Sequence, residues 1–513
     1  MRSGRWKRCT LTFPHLTTLA VPAAFLGTEN ETGRWMFADQ EHAVLVLGPP
    51  RTGKTSSVIV PSIAAAAAPV VATSTKTELL DIVGPVRGHV GKVWHFDPTG
   101  TEEPPSWARR LHWSPLDAVS SWDSALQVAD QLVGTARLTS STQSDRDSYH
   151  FTERAKLLLA VYLFAGYLSQ APMSDVVAWV LTHDPGDEVA AALQGAVEID
   201  RAGGRDLAVA SLKSIQQTEE RERSGIYSTA ANALAVYNSK AALTLADGTG
   251  DPEQFDPLQF VLSKADTIFI TAPSHEQRRT APIIVAFIEQ LRTLIYSAHR
   301  DGQLQRGALF ALDEAANIAP IPDLAGIVSE AGGQGLQVLA AFQDLSQARE
   351  RWGPSADGFL TLFSQKLVFR GIADQHTLGA LETLSGDWDR PILTRSSGDQ
   401  INQGNTTSWT TQRSPVLTAN QIANIPHGQA LSFTPRGWQL TQLTPFYLSK
   451  RWARFFDLKE QGFPSYDLQP EHKPQASGQW ELYIRFGDAQ KTMRGLEQPA
   501  TASSAVTNGP AAI

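Results

Sequence analysis

Gly48-Pro49-Pro50-Arg51-Thr52-Gly53-Lys54-Thr55 sets the class of fold to which this 513-residue chain belongs. The stretch fits the pattern G-x-x-x-x-G-K-T, and it lies between an apolar run at 43–47 and a second apolar run at 58–60. A strand, such a loop and a helix together form the Walker A phosphate-binding loop, whose backbone N–H groups surround phosphate oxygens. We therefore expect a P-loop that binds ATP through Gly48, Pro49, Pro50, Arg51, Thr52, Gly53, Lys54, Thr55 and Ser56.

Two residues of this loop have side chains with a predicted chemical role. Lys54 is expected to reach the β- and γ-phosphates of ATP, and the Thr55 hydroxyl is expected to bind Mg²⁺. The alternative is a chance Gly-Lys-Thr turn without a ligand. The strand before the loop and the helix after it argue against that alternative.

A second motif supplies the acids that hydrolysis requires. The apolar run 308–312 is followed by Asp313 and Glu314, which is the arrangement of a Walker B strand. Asp313 would then hold Mg²⁺, and Glu314 would orient or deprotonate the attacking water. Two solvated acids in a surface turn are the alternative interpretation.

Polar residues also follow two other predicted strands. Gln343 follows the strand predicted at 337–342, where its amide could contact the γ-phosphate, although it could equally cap a helix. Lys76 and Glu78 lie just past the strand predicted at 69–74. They could lie near the nucleotide or a subunit boundary, but a solvated first helical turn explains them as well.

Short β-branched runs alternate with helical stretches along most of the chain, which is typical of an α/β fold with a parallel sheet. Strands are predicted at 42–47, 69–74, 93–97, 267–272, 308–313, 337–342, 366–370 and 430–434. The middle of the chain has apolar residues at helical spacing and predicts an inserted all-α domain at 151–239. The nucleotide-binding domain would then comprise 34–150 and 240–456, between an N-terminal extension at 1–33 and a partly disordered tail at 457–513. Polar residues at 395–413 predict an exposed loop.

The overall composition excludes some classes of protein. A formal net charge of −8 gives no global basic surface for nucleic acid, although a local groove could still be basic. The single cysteine, Cys9, excludes an intramolecular disulfide framework and fits a reducing compartment. Residues 11–27 are moderately apolar but are interrupted by Pro14, His15, Thr17 and Thr18, and no window approaches the roughly 20 apolar residues of a membrane-spanning helix.

Taken together, these motifs resemble the type IV coupling proteins of conjugation and type IV secretion (the TraG/TraD family), in particular an actinobacterial branch with a TraM-recognition segment. The resemblance covers 34–446 in the right order. It rests on the segments 48–55, 58–62, 74–79, 93–98, 113–116, 310–317, 335–347 and 364–377.

The resemblance implies a RecA-like motor that uses ATP and Mg²⁺ and assembles as a hexameric ring at the inner face of the plasma membrane. Such rings move single-stranded DNA with its attached relaxase to a secretion channel. The same resemblance implies that Gln343 senses the γ-phosphate and that 76–78 is a family element. It places the all-α domain at the cytoplasmic entrance of the ring, where it would help to choose cargo.

Two features depart from the family pattern. Relatives usually carry transmembrane helices before the motor, and we find none in this sequence. Relatives also often offer an arginine to the neighbouring subunit from the loop before the Gln-bearing strand, whereas that loop here reads Gly332-Gly333-Gln334. Such an arginine raises the rate of hydrolysis by ~10³–10⁵-fold. The candidates for a substitute are Arg349, Arg351 and Arg370.

Two functions follow as hypotheses: an ATP-driven DNA translocase, or an ATP-binding receptor that recruits relaxosome or effector proteins with little motor activity. An ATPase of unrelated purpose is disfavoured, because the segments 96–98 and Gln343 match the coupling proteins. Candidate DNA contacts, each of which could also be a solvated charge, are Lys213, Arg221, Arg223, Arg278 and Arg279.

Overall fold

A computed structural model describes residues 23–29, 33–140, 146–183, 187–195, 203–248, 254–304, 306–396, 406–449 and 452 of the chain. The N-terminal segment with Cys9 and the predicted tail at 457–513 lie outside the described residues.

The core of the fold is one large sheet. Within the described residues, twelve strands form it in the order β2-β1-β14-β13-β10-β3-β9-β8-β4-β7-β5-β6, and β11 and β12 form a separate hairpin. The strands are β1 (Phe25–Glu29), β2 (Trp35–Phe37), β3 (Val44–Leu47), β4 (Val70–Ser74), β5 (Val93–Phe96), β6 (Arg109–Arg110), β7 (Thr267–Thr271), β8 (Ala308–Leu312), β9 (Leu336–Phe342), β10 (Gln365–Val368), β11 (Asp387–Ser396), β12 (Thr406–Pro415), β13 (Gln429–Thr434) and β14 (Gly437–Gln442).

Helices cover the sheet and fill the middle of the chain. They are α1 (Val60–Ala65), α2 (Glu78–Arg87), α3 (Trp122–Thr139), α4 (Arg146–Ser169), α5 (Met173–Leu181), α6 (Asp187–Gly195), α7 (Arg205–Gln216), α8 (Glu220–Ala233), α9 (Lys240–Ala246), α10 (Pro257–Val261), α11 (Gln277–Arg300), α12 (Ala315–Ile318), α13 (Leu324–Glu330), α14 (Leu345–Trp352), α15 (Phe359–Leu362), α16 (Gln375–Ser385) and α17 (Ala419–Ala423). A π-helical turn, Thr55–Ile59, leads directly into α1.

The eight strands from β10 to β6 in this order run parallel. Seven of them, all but β6, were predicted, and β13 is the eighth predicted strand. Each predicted strand is found within one or two residues of its predicted ends. The sequence signal is strong because these strands are buried on both faces. In β3, Leu45 and Leu47 pack into one hydrophobic cluster, whereas Val44 and Val46 pack into the cluster on the other face. The sheet therefore separates two cores, and the predicted α/β class is confirmed.

Of the four strands β2, β1, β14 and β13 at the antiparallel edge of the sheet, only β13 was predicted. β1 lies inside the predicted extension at 1–33, yet it pairs with both β14 and β2. A bulge between Phe25 and Gly27 interrupts its pattern, and a Cβ atom on Gly27 would lie 2.8 Å from the Gln442 carbonyl oxygen. The sheet therefore begins earlier in the chain than the predicted domain boundary.

The prediction of an exposed loop at 395–413 was wrong for its described part. Residues Asp387–Ser396 pair with Thr406–Pro415 over ten antiparallel residue pairs. The polar composition concealed the hairpin, although threonine and tryptophan, which recur in it, are enriched in strands.

Between β6 and β7 the described residues form helices α3–α10 and contain no strand. This helical region includes the predicted insertion at 151–239 but begins earlier, at Trp122, and continues to Val261. Among the described residues, α11 is the one helix long and apolar enough to cross a membrane. However, 67% of its apolar window is buried inside the protein, as expected of a core helix.

A buried arginine joins the segments that precede two central strands. The Arg87 guanidinium, 1% exposed, donates to the carbonyl oxygens of Ala66, Ala68 (2.9 Å) and Ala265 (2.8 Å) and to Thr267 Oγ1 (2.7 Å). Burial lowers the pKa of Arg87 to about 10, although Asp266 opposes the shift. The charge is kept because these acceptors replace its water shell.

Replacing Arg87 with methionine should therefore lower the free energy of unfolding by about 3–5 kcal/mol, because buried carbonyl groups would lose their donor. Urea unfolding would measure the loss. Arg306→Met is the matched control, since Arg306 is exposed and donates to Ala67 O (3.2 Å) in the same loop. The control should stay within about 0.5 kcal/mol of the wild type. Equal losses in the two variants would contradict this account.

Candidate functional site

Three neighbouring parallel strands bring the predicted site residues to one edge of the sheet. β9 lies between β3 and β8, with Leu47 opposite Phe342 and Leu312 opposite Ala340. Because the carboxyl ends of parallel strands share an edge, the P-loop, Gln343 and the acids after Leu312 all begin there. The predicted site residues are thus brought together.

The P-loop is closely packed at its first glycine. Gly48 N–H donates to Phe342 O (3.2 Å), and a Cβ atom on Gly48 would lie 2.7 Å from Phe369 Cβ. Gly53 has φ +95° and the exposed Arg51 has φ +64°, so the chain turns through the left-handed region twice within the loop. The contact with Phe369 leaves no space at Gly48 for a side chain.

Lys54 is drawn onto its own loop. Its ammonium group donates to the carbonyl oxygens of Gly48 and Pro49, the latter at 3.1 Å. Burial lowers the pKa of Lys54, and the nearby carboxylates of Asp313 and Glu314 act in the opposite direction. The ammonium group therefore lies among the loop carbonyl oxygens and between the two motifs.

The hydroxyl group expected to bind Mg²⁺ contacts the acid expected to do the same. Thr55 Oγ1 donates to Asp313 Oδ2 at 2.6 Å, and Asp313 is only 7% exposed. Burial raises the pKa of the Asp313 carboxyl, while the Thr55 hydrogen bond and the Lys54 charge lower it. The Asp313 backbone is fixed as well, since its carbonyl oxygen accepts from Thr73 Oγ1 at 2.9 Å.

Glu314 is the second residue after β8 and has a left-handed conformation, with φ +50°. A non-glycine residue in this region costs of order 1–3 kcal/mol and is typically found at functional sites. Burial and the Asp313 charge raise the pKa of Glu314, whereas Lys54 and a hydrogen bond from the Asn317 side chain lower it. The two acids are therefore part of a half-buried cluster and not a solvated surface turn.

Gln343 is half-buried immediately after β9, and its N–H donates to Gln347 Oε1 at 2.9 Å. The next helix, α14, is capped instead by Asp344, whose carboxylate accepts from Gln347 N–H at 3.1 Å. Asp344 therefore caps α14, which is the role that was the alternative for Gln343.

Lys76 and Glu78 follow β4, which is the strand next to β8. Both side chains are exposed, and Lys76 N–H donates to Ser74 Oγ at 3.3 Å. They lie on the same edge of the sheet as Asp313, one strand further away. Their placement agrees with the solvated-turn interpretation, and a functional role stays a prediction.

The three arginines proposed as substitutes differ in their surroundings. Arg349 pairs with Asp357 (2.6 Å) and contacts His376. Arg351 donates into its own chain, to α12 and α3. Arg370 is exposed just after β10, which is the strand next to β3. Only Arg370 therefore presents an exposed side chain at the edge of the P-loop.

The candidate DNA contacts are scattered over the surface. Arg223 donates to Gln216 O (2.9 Å) and Arg279 pairs with Glu276 (2.9 Å), so both are engaged within the chain. The exposed members of the set are Lys213, Arg221 and Arg278.

Sequence reasoning missed Asn317 as a member of this site. Its side-chain oxygen accepts from Arg351 at 3.4 Å, and its backbone N–H donates to Glu314 O at 2.9 Å. The available signal was its spacing, because residues three apart on a helix are neighbours.

This fold and site define an α/β protein of the RecA-like P-loop NTPase class, with a nucleotide-binding fold. Solved structures of the bacterial conjugative coupling protein TrwB lacking 70 N-terminal residues share the fold. The unbound form has a TM-score of 0.57 at 17% identity, covering 79% of this chain and 85% of that chain. TrwB bound to the ATP analogue ADPNP gives a TM-score of 0.56 at 17% identity, covering 79% of this chain and 86% of that chain.

The sequence model of the family described as type IV secretory system conjugative DNA transfer matches residues 19–437. This chain therefore belongs to that family, and the resemblance found in the sequence is confirmed. A search of curated protein sequences gives no match. The actinobacterial branch and the TraM-recognition segment stay predictions.

The close packing of Gly48 allows a direct test of whether the P-loop tolerates a side chain at this position. Gly48→Ala should weaken ATP binding at least about tenfold, because its Cβ would displace Phe369 and distort the loop. Gly379→Ala is the control, since a Cβ there meets nothing within 4 Å. Titration with a fluorescent ATP analogue would measure both variants. Unchanged affinity in Gly48→Ala would show that the loop tolerates a side chain.

Proposed function

We propose that this protein is an ATP-hydrolysing motor that moves single-stranded DNA, with its relaxase, to a type IV secretion channel. The observation that carries the proposal is the Thr55–Asp313 contact, which joins the two halves of an ATPase site in a member of a conjugative DNA transfer family. The motor would act in the cytoplasm at the inner face of the plasma membrane, as a hexameric ring formed on nucleotide or DNA.

The residues of the site suit ATP and Mg²⁺. Gly48 and Gly53 allow the backbone to turn inward, Lys54 offers a cation, and Thr55 and Asp313 offer oxygen atoms of the kind that Mg²⁺ prefers. When bound, Mg²⁺ would neutralise charge on the β- and γ-phosphate oxygens. TrwB has been solved with ADP and Mg²⁺, which supports the same ligands here.

In the proposed reaction, the protein acts mainly by positioning and electrostatics. Loop N–H groups and Lys54 hold the phosphates, and Glu314 orients the attacking water and accepts its proton. The water oxygen forms a bond to the γ-phosphorus, and the bond from that phosphorus to the bridging oxygen of ADP breaks. Gln343, on the strand between the two motifs, would register the departure of the phosphate.

A second candidate function is an ATP-binding receptor that recruits the relaxosome or effector proteins. It is favoured by the loop before β9, which holds Gly332 and no arginine, and by the engagement of Arg349 and Arg351 within their own chain. A ring that lacks a cation from the neighbouring subunit would hydrolyse ATP slowly.

Two variants separate binding from turnover. Lys54→Ala should lose ATP binding, because the loop would lose its cation. Glu314→Gln should bind ATP normally and lose hydrolysis by at least about 10²-fold, since an amide cannot accept the proton from water. Equilibrium binding and phosphate release would measure these effects, with Glu382→Gln as a control acid on α16. Normal turnover by Glu314→Gln would refute its assignment as the base.

The motor hypothesis makes a further prediction about DNA. Single-stranded DNA should stimulate hydrolysis and promote rings in the presence of a non-hydrolysable ATP analogue, because translocation couples the two ligands. Steady-state turnover and sedimentation would measure this, with Glu314→Gln controlling for contaminating ATPases. Turnover indifferent to DNA of any form would exclude the motor. A persistent monomer whose cargo binding survives Lys54→Ala would favour the receptor.

A further inference from the structure

The guanidinium group of Arg351 links three segments of the chain. Its Nε donates to Ala316 O (2.9 Å) in α12, one terminal nitrogen donates to Leu138 O (3.3 Å) near the end of α3, and the other donates to Asn317 Oδ1 (3.4 Å). A planar guanidinium group is well suited to hold several acceptors in a fixed arrangement. One side chain therefore connects α14, α12 and the start of the helical region.

The contact with Asn317 determines which way that amide points. Arginine only donates hydrogen bonds, so the Asn317 oxygen must face Arg351. The amide nitrogen is then directed to the side of Glu314, whose backbone carbonyl oxygen accepts from Asn317 N–H at 2.9 Å and whose carboxyl pKa the Asn317 side chain lowers. The opposite orientation would place the amide oxygen against a carboxylate and the NH₂ group against a cation, and both contacts would be repulsive.

The helix that carries Arg351 begins beside Gln343. α14 runs from Leu345 to Trp352, a length of about 12 Å at 1.5 Å per residue. At its far end, Trp352 Nε1 donates to Ile321 O at 2.7 Å, so two consecutive residues fasten the helix to the segment that follows Glu314. α14 is thus a short rigid connection between the expected phosphate sensor and the expected base.

We propose that Arg351 is a positioning residue for ATP hydrolysis, which fixes the Asn317 amide so that Asn317 holds the Glu314 carboxylate ready for the attacking water. The proposal rests on the proposed ATPase function. It assigns Arg351 to its own subunit's site and not to the site of a neighbouring subunit.

Arg351→Met tests the proposal because it keeps length and apolar volume but has no donor. Its kcat for ATP hydrolysis should fall about 10- to 100-fold, the cost of misplacing a reacting group by about 1 Å. KM and ATP affinity should stay within about twofold, since the P-loop is untouched. Arg351→Lys should recover part of the loss, because lysine still donates to the Asn317 oxygen.

A double-mutant cycle separates positioning from general stability. In an Asn317→Ala background, Arg351→Met should cause no further loss of kcat, because both residues act through the same contact. Trp352→Phe is the matched control: it removes the bond to Ile321 O from the same end of α14 and should keep its kcat. Should Arg351→Met fail to fold, the same cycle made with Arg351→Lys and Asn317→Ala still decides the matter.

The outcomes distinguish this inference from the proposed function. If Glu314→Gln hydrolyses ATP normally, the ATPase assignment itself fails. If Glu314→Gln is inactive while Arg351→Met retains wild-type kcat, or if the losses in the cycle simply multiply, the positioning role is overturned. An equal loss of kcat in Trp352→Phe would also overturn it, since the effect would then belong to the packing of α14.

Discussion

The structure depends on the parallel alignment of β3, β9 and β8, whose carboxyl ends meet at one edge of the sheet. This alignment brings Thr55 within 2.6 Å of Asp313, although 258 positions separate them in sequence. A shift of one residue in either pairing would exchange the faces of a strand that is buried on both sides, and both hydrophobic cores would lose their packing. The fold and the site therefore share one constraint.

Burial gives the site its electrostatic character. Lys54, Asp313 and Glu314 lie within interaction range of one another, and for each group burial is the largest influence on the pKa. Burial disfavours the charged form of all three groups. The attraction between the ammonium group and the carboxylates favours the charged forms and so opposes the pKa shifts that burial causes. The cluster holds one more acid than base. A divalent cation would make its net charge positive, which suits a polyphosphate ligand.

The sequence predicted the central strands and the motifs at their ends, because strands buried on both faces are continuous apolar runs and the turns after them are polar. It did not predict β1, since Gly27 and the bulge break the pattern there. It also missed the hairpin of β11 and β12, whose polar residues are those of a loop. β1 is held by pairing with the distant strand β14, and β11 and β12 are held by pairing with each other and not by burial, so a local apolar pattern carries little of that information.

The side chains around the site were less predictable than the site itself, because the role of a residue on a helix depends on its direction. Arg349 and Arg351 are two positions apart on α14, or about 200° around the helix axis. One therefore faces Asp357 and His376, and the other faces α12 and Leu138. From the sequence both were equal candidates for a cation offered to a neighbouring subunit. Since both are turned into their own chain, such a cation would have to come from an exposed position, and Arg370 beside the P-loop strand is the one candidate of the three that has it.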